Sequence, residues 1–195
     1  MKKIVSLFQR NYDGDRLVRD EVVPGAEWVL AGEGTATRKF DGTCCMVRDG
    51  KLFKRFDAKK GKTPPEGFEA AQEADPVTGH WPGWIPVGEG PEDRWHREAW
   101  SLTGDPESPA GAEVGLPDGT YELCGPKVQG NPEGFVQHTL IPHGTFHIPE
   151  TGRTFAEIRA LLETLTIEGV VWHHPDGRMV KIKRKDFFKK QKVSA

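Results

Sequence analysis

Two Asp-Gly dipeptides, Asp49-Gly50 and Asp176-Gly177, each stand between extended runs of residues, and they constrain the chain more than any other feature. Asp-Gly is the dipeptide of a tight two-residue turn, so each marks a β-hairpin. The flanking runs predict strands over residues 44–48 and 51–56, and again over 169–174 and 179–184, with β-branched and aromatic residues on the arms of the second pair. A further strand is expected over 120–124, closed by Gly125-Pro126. One helix is predicted over 155–165. Thr154 and Glu157 have capping-box spacing, and Phe155, Ile158, Leu161, Leu162 and Leu165 recur at helical intervals. With 23 glycines and 15 prolines, the chain favours short strands and loops over a helical bundle. The expected fold class is strand-heavy α+β.

A length of 195 residues is enough for a buried core, and a single domain over 1–195 is the expectation. No apolar run is long enough for a membrane span, and the N-terminal segment lacks the apolar stretch of a secretory signal, so a cytoplasmic protein with no membrane partner is expected. Cys44, Cys45 and Cys124 have no Cys-x-x-Cys spacing, which argues for packing residues rather than a disulfide framework or zinc knuckle. His138, His143, His147 and the adjacent His173-His174 do not suggest a zinc cluster, because neighbours on a strand face opposite ways. Residues 62–117, rich in Pro, Gly, Glu and Trp, are read as an ordered loop insertion. It holds Trp81, Trp84, Trp95 and Trp100, either as loop anchors or as stacking surfaces for unpaired bases. The net charge is -2, yet residues 178–195 carry eight basic side chains against Asp186 alone. That tail is a contact for a polyanion or a solvated basic end.

The chemistry starts at Lys39-Phe40-Asp41-Gly42, just before the first hairpin. In order there follow Arg55, Glu122 in Tyr-Glu-Leu, Phe146 in Gly-Thr-Phe-His-Ile, Glu168-Gly-Val-Val-Trp172, and Lys181-Ile-Lys183. This ordered set resembles the covalent nucleotidyltransferase superfamily of polynucleotide ligases and mRNA capping enzymes. More locally, the segments around Glu122, His143 and Glu168 to Phe187 look like a small, single-domain RNA ligase family.

The resemblance implies an antiparallel-sheet adenylation domain of the ligase and capping-enzyme type, ATP-grasp-like, without an oligonucleotide-binding (OB) domain, since only twelve residues follow Lys183. It implies that Lys39 is the nucleophile that takes AMP from ATP. Lys181 and Lys183 would grip the α-phosphate, Arg55 and Glu122 the ribose, and Phe146 would stack on the base or else serve as a core phenylalanine. Asp41 and Gly42 would belong to the nucleotide site. Glu168, with Asp41, would serve Mg2+ or Mn2+. Arg38 stands where many RNA ligases carry a glutamate, which leaves the choice of base open.

Physical chemistry points the same way. A free lysine titrates near 10.4, so holding it neutral at pH 7 costs roughly 4.6 kcal/mol. Lys181 and Lys183, two apart on one strand, share a face and can supply like charge, with desolvation and a divalent ion adding to it. The expected function is ATP-dependent sealing of RNA 5′-phosphate and 3′-hydroxyl ends through lysyl-AMP and adenylated RNA, with a protein partner supplying further RNA-binding surface. The alternatives are a DNA-nick ligase, a capping-type guanylyltransferase, and a non-catalytic RNA- or nucleotide-binding domain.

Overall fold

In the computed structural model, which describes residues 1–103, 115–149 and 151–188, strands dominate and most pair antiparallel. In chain order they are β1 (Val5–Ser6), β2 (Phe8–Arg10), β3 (Val18–Val22), β4 (Thr35–Lys39), β5 (Thr43–Arg48), β6 (Lys51–Ala58), β7 (Glu69–Ala70), β8 (Trp81–Pro86), β9 (Gly119–Cys124), β10 (Thr139–Pro142), β11 (Gly169–His173) and β12 (Met179–Lys183). The α-helices are α1 (Glu27–Leu30), α2 (Arg94–Ser101), α3 (Phe155–Thr164) and α4 (Arg184–Phe187). No helix among the described residues is long and apolar enough to cross a membrane.

Both Asp-Gly turns close hairpins. Asp49 and Gly50 have φ of 51° and 67°, the pair of left-handed angles that a two-residue turn between β5 and β6 demands. Helix α3 starts at the predicted box: the Thr154 hydroxyl accepts from the Glu157 N–H, while the Glu157 carboxylate accepts from the Thr154 N–H.

The chain forms two compact units, each closing a core of its own. The first unit comprises Met1–Lys3 and Asp41–His143. Its six-stranded sheet has the order β10-β9-β5-β6-β8-β7, and Cys45, Val47, Leu52, Tyr121, Leu123 and Leu140 make its core. Alternation along β9 buries Tyr121 and Leu123 in that core and turns Glu122 to the opposite face.

The second unit comprises Ile4–Phe40 and Gly144–Ala195. Its sheet has the order β1-β12-β11-β4, with β1 parallel to β12 and the other pairs antiparallel. Val170, Trp172, Val180 and Ile182 pack against α3 through Ile158 and Leu162, joined by Leu7, Phe8 and Val29. With those faces buried, the intervening Lys181 and Lys183 lie on the other side of β12.

The segment read as a loop insertion is more regular than expected. It contributes β7, β8 and α2 to the first unit, while residues 104–114 lie outside the described residues. Prolines at both ends of β8 disguised a strand that pairs with β6 from Phe53↔Pro86 to Ala58↔Trp81. The tryptophans act as anchors. Trp84 is buried, Trp81 meets Phe68 edge-on and donates to the Gln72 carbonyl, Trp95 stacks on His138, and Trp100 packs on the core.

Candidate functional site

In the second unit, register places three positions in one row: Lys39 on β4 and Lys183 on β12 both pair with Gly169 on β11. A glycine between two lysines leaves no side chain to hold them apart. A Cβ at Gly169 would sit 2.1 Å from the Ile182 carbonyl oxygen, so nothing larger is accommodated. Glu168 immediately precedes this glycine and receives both ammonium groups. Its Oε2 pairs with Lys39 Nζ at 2.5 Å and its Oε1 with Lys183 Nζ. Burial alone would push the Glu168 carboxyl up, but the charges and hydrogen bonds of Lys39 and Lys183 outweigh it and hold the group below the usual carboxylate range.

Lys181 stands one row along, opposite Val171. It is pushed down to about 8, first by burial and then by the charges of Lys183 and Lys39, against the opposing pull of Glu168 and Asp186. Like charge was expected to act on Lys39. In the structure Glu168 lies between Lys39 and Lys183 and pairs with both, and the like charge of these two lysines is seen acting on Lys181. Asp186, buried at the start of α4, accepts from the Lys183 backbone N–H and pairs with Arg10 at 2.5 Å, which anchors the end of β12.

The same unit carries an aromatic group at the end of β4. Phe146 is 51% exposed and meets Phe40 edge-on at 5.0 Å, and the Arg38 guanidinium lies over the Phe40 ring. The open ring at Phe146 excludes the core alternative for that residue. A flat, exposed π-face of this kind can receive a base.

The first unit holds a second constellation. Cys44 on β5 lies directly opposite Glu122 on β9. Glu122 Oε1 accepts from the Gly42 N–H at 3.0 Å, and Oε2 meets His143 Nε2 at 3.0 Å. His143 Nδ1 in turn meets the Thr120 hydroxyl at 3.0 Å. Donor atoms of Cys44, Glu122 and His143 all lie within 4.8 Å of one another. Gly42 is again required by close approach, since a Cβ there would fall 2.2 Å from the Leu123 carbonyl oxygen. Asp41 lies beyond the end of β4, and its backbone N–H donates to Glu133. Arg55 donates to the Met1 carbonyl at 2.7 Å and lies over Trp84.

With this geometry in view, comparison with known proteins points in one direction. The model of the RNA ligase 1 family matches residues 112–191. Curated relatives are RNA ligase 1 of Mus musculus, 29% identical, and RNA ligase 1 of Rattus norvegicus and of Danio rerio, each 28% identical. The matches cover 76% of this chain and 65% of the mouse protein, 66% of the rat and zebrafish proteins. The chain is similar to RNA ligases. It spans just under two thirds of the length of these relatives. The family match contains Glu122, Phe146, Glu168, Lys181 and Lys183, and it ends before the chain does.

The fold thus gathers Lys39, Glu168, Lys181 and Lys183 in one unit, with Phe146 in the same unit, and gathers Gly42 and Glu122 in the other, where Asp41 and Arg55 also belong. Of the basic tail, the described part ends at residue 188, so Lys189, Lys190 and Lys192 lie outside the described residues. Sequence reading missed Cys44, Thr120, Glu133 and His143 as partners of the site. Period-two alternation along β5 and β9 would have put Cys44 and Glu122 on the non-core faces, but only the strand register makes them neighbours.

Proposed function

We propose that this chain is an ATP-dependent RNA ligase that joins a 5′-phosphate to a 3′-hydroxyl through AMP carried on Lys39. The observation that carries the reading is the Lys39–Glu168–Lys183 bridge with Lys181 beside it, in a chain similar to RNA ligase 1. Three ammonium groups around one carboxylate leave an excess of positive charge, and a triphosphate is the kind of anion that excess suits.

In the first step the Lys39 Nζ lone pair forms a bond to the α-phosphorus of ATP as the bond to the pyrophosphate oxygen breaks. The ammonium must first give up its proton, to solvent water, and its lone pair must turn from Glu168 to the α-phosphorus. Lys181 and Lys183 then hold the charge that develops on the phosphate oxygens. In the second step an oxygen of the RNA 5′-phosphate takes the AMP, the P–N bond breaks and Lys39 regains its proton. In the third the 3′-hydroxyl attacks the RNA phosphorus, loses its proton and releases AMP.

Glu168, an ionised and largely buried carboxylate with both oxygens engaged by cations, has the hard donors a magnesium or manganese ion takes, and such an ion would supply further neutralisation of phosphate charge. Glu122, oriented by the Gly42 N–H and His143, would accept from ribose hydroxyls, with Arg55 as its companion in the same unit. Phe146 would stack on the base. The basic segment from Arg178 onward would draw the RNA backbone by a salt-sensitive attraction.

The test is incubation with α-labelled ATP and magnesium, then denaturing electrophoresis, beside Lys39→Ala and labelled GTP. Label on the wild type from ATP, absent from Lys39→Ala, is the expected outcome, followed by joining of nicked RNA in preference to nicked DNA. Label from GTP alone would turn the reading toward capping, and no label from either would leave a binding domain.

A further inference from the structure

The Cys44, Glu122 and His143 group has a chemistry that nucleotide binding does not use. Thiolate sulfur, carboxylate oxygen and imidazole nitrogen are the three donor types that zinc accepts together, whereas magnesium takes oxygen alone. Adjacent strands hold two of the three: Cys44 and Glu122 face each other in the β5–β9 register, on the face away from the core. His143, just beyond β10, completes the set, and all three donors fall within 4.8 Å.

Two of the three ligands are also oriented from behind. The Gly42 N–H occupies Glu122 Oε1 and leaves Oε2 turned to His143. The Thr120 hydroxyl sits on His143 Nδ1, and a hydroxyl can donate or accept. Without an ion, Nε2–H donates to Glu122 and Thr120 donates to Nδ1. With an ion on Nε2, the ring proton moves to Nδ1 and donates to Thr120, the outer contact that ligating histidines use. Glu122 is only 7% exposed, while His143 and Cys44 are partly open.

We propose that Cys44 Sγ, Glu122 and His143 Nε2 bind a zinc-class divalent ion as a three-ligand site. The ion displaces one proton, from the thiol, while the imidazole keeps its single proton, moved from Nε2 to Nδ1, and no redox step is involved. Because Glu122 cannot serve an ion and ribose hydroxyls at once, zinc loading would oppose nucleotide transfer; that consequence rests on the function proposed above, and the site itself does not.

The test is titration of the full chain, stripped of metal, with Co2+ as a spectroscopic probe. The expected result is one equivalent bound, with a sulfur-to-cobalt charge-transfer band in the near ultraviolet and strong visible bands of low coordination number. Cys44→Ser should lose the charge-transfer band and His143→Gln should alter the visible bands, both with unchanged circular dichroism. In a chelator competition with Zn2+, Thr120→Val should bind about 10- to 100-fold more weakly. A wild type without the charge-transfer band, or a Cys44→Ser variant that keeps it, overturns the site. Label transfer that persists at one equivalent of Zn2+ while the cobalt spectrum stands overturns the opposition to nucleotide and leaves the site in place.

Discussion

The two constellations of this molecule are built on different physics. Around Lys39, Lys181 and Lys183 the working quantity is charge: two ammonium groups pair with one carboxylate, and burial together with their like charge depresses the third, Lys181, to about 8. Around Glu122 the working quantity is direction. Its two oxygens are taken by a backbone N–H and an imidazole at 3.0 Å each, and that imidazole is held in turn by Thr120. The comparison teaches that a charge cluster tolerates loose geometry and waits for an anion. A cluster built on directional bonds is specified by backbone fit and fails when the backbone moves.

The sharpest break in this contrast is Lys39→Ala, which should reduce nucleotide transfer at least about 1000-fold while leaving the melting temperature near that of the wild type, as read by label transfer and thermal unfolding. Glu168→Gln comes next. It strips two ammonium groups of their counter-ion and should cost roughly 2–4 kcal/mol at pH 7. Because the folded Glu168 carboxyl lies below its ordinary value, its contribution is present above the unfolded value and is lost as pH falls through the folded one. The gap between variant and wild type should therefore close in acid denaturation curves as pH falls below the ordinary carboxylate value of 4.5.

Gly42→Ala tests the directional cluster. Its Cβ would press on the Leu123 carbonyl, so a loss of roughly 1–3 kcal/mol is expected, with weaker nucleotide transfer and no change in the lysine cluster. Lys181→Met has the opposite sign. A buried ammonium held near 8 destabilises the fold below that pH, so removing it should raise stability by roughly 1–3 kcal/mol at pH 7. Between about 8 and the unfolded value of 10.5 the unfolded wild type binds more protons, so wild-type stability rises with pH and the advantage of the variant should shrink in melts at pH 10.

Elements whose cause is local were legible before any coordinates. The β5–β6 and β11–β12 hairpins follow from Asp-Gly turns, and α3 from a capping box and a helical stripe. Elements whose cause is distant were not. Strand β8, with prolines at Pro82 and Pro86, was hidden by its own composition and is held by β6 and β7 on either side. Strand β1 is two residues long and exists because β12 lies parallel to it. The partition into two units was equally invisible, since each core is assembled from segments far apart in the chain.

The candidate residues divide along the same line. Sequence alone determined which side chains were worth attention and, through period-two alternation, that Lys181 and Lys183 share one face. Tertiary structure alone decided that Gly169 separates Lys39 from Lys183, that Glu168 answers both, and that Cys44 and His143 flank Glu122. The reason is register. Alternation is a property of one strand, but who stands opposite whom depends on how strands distant in sequence are slid against each other, and the burial of whole cores sets that alignment.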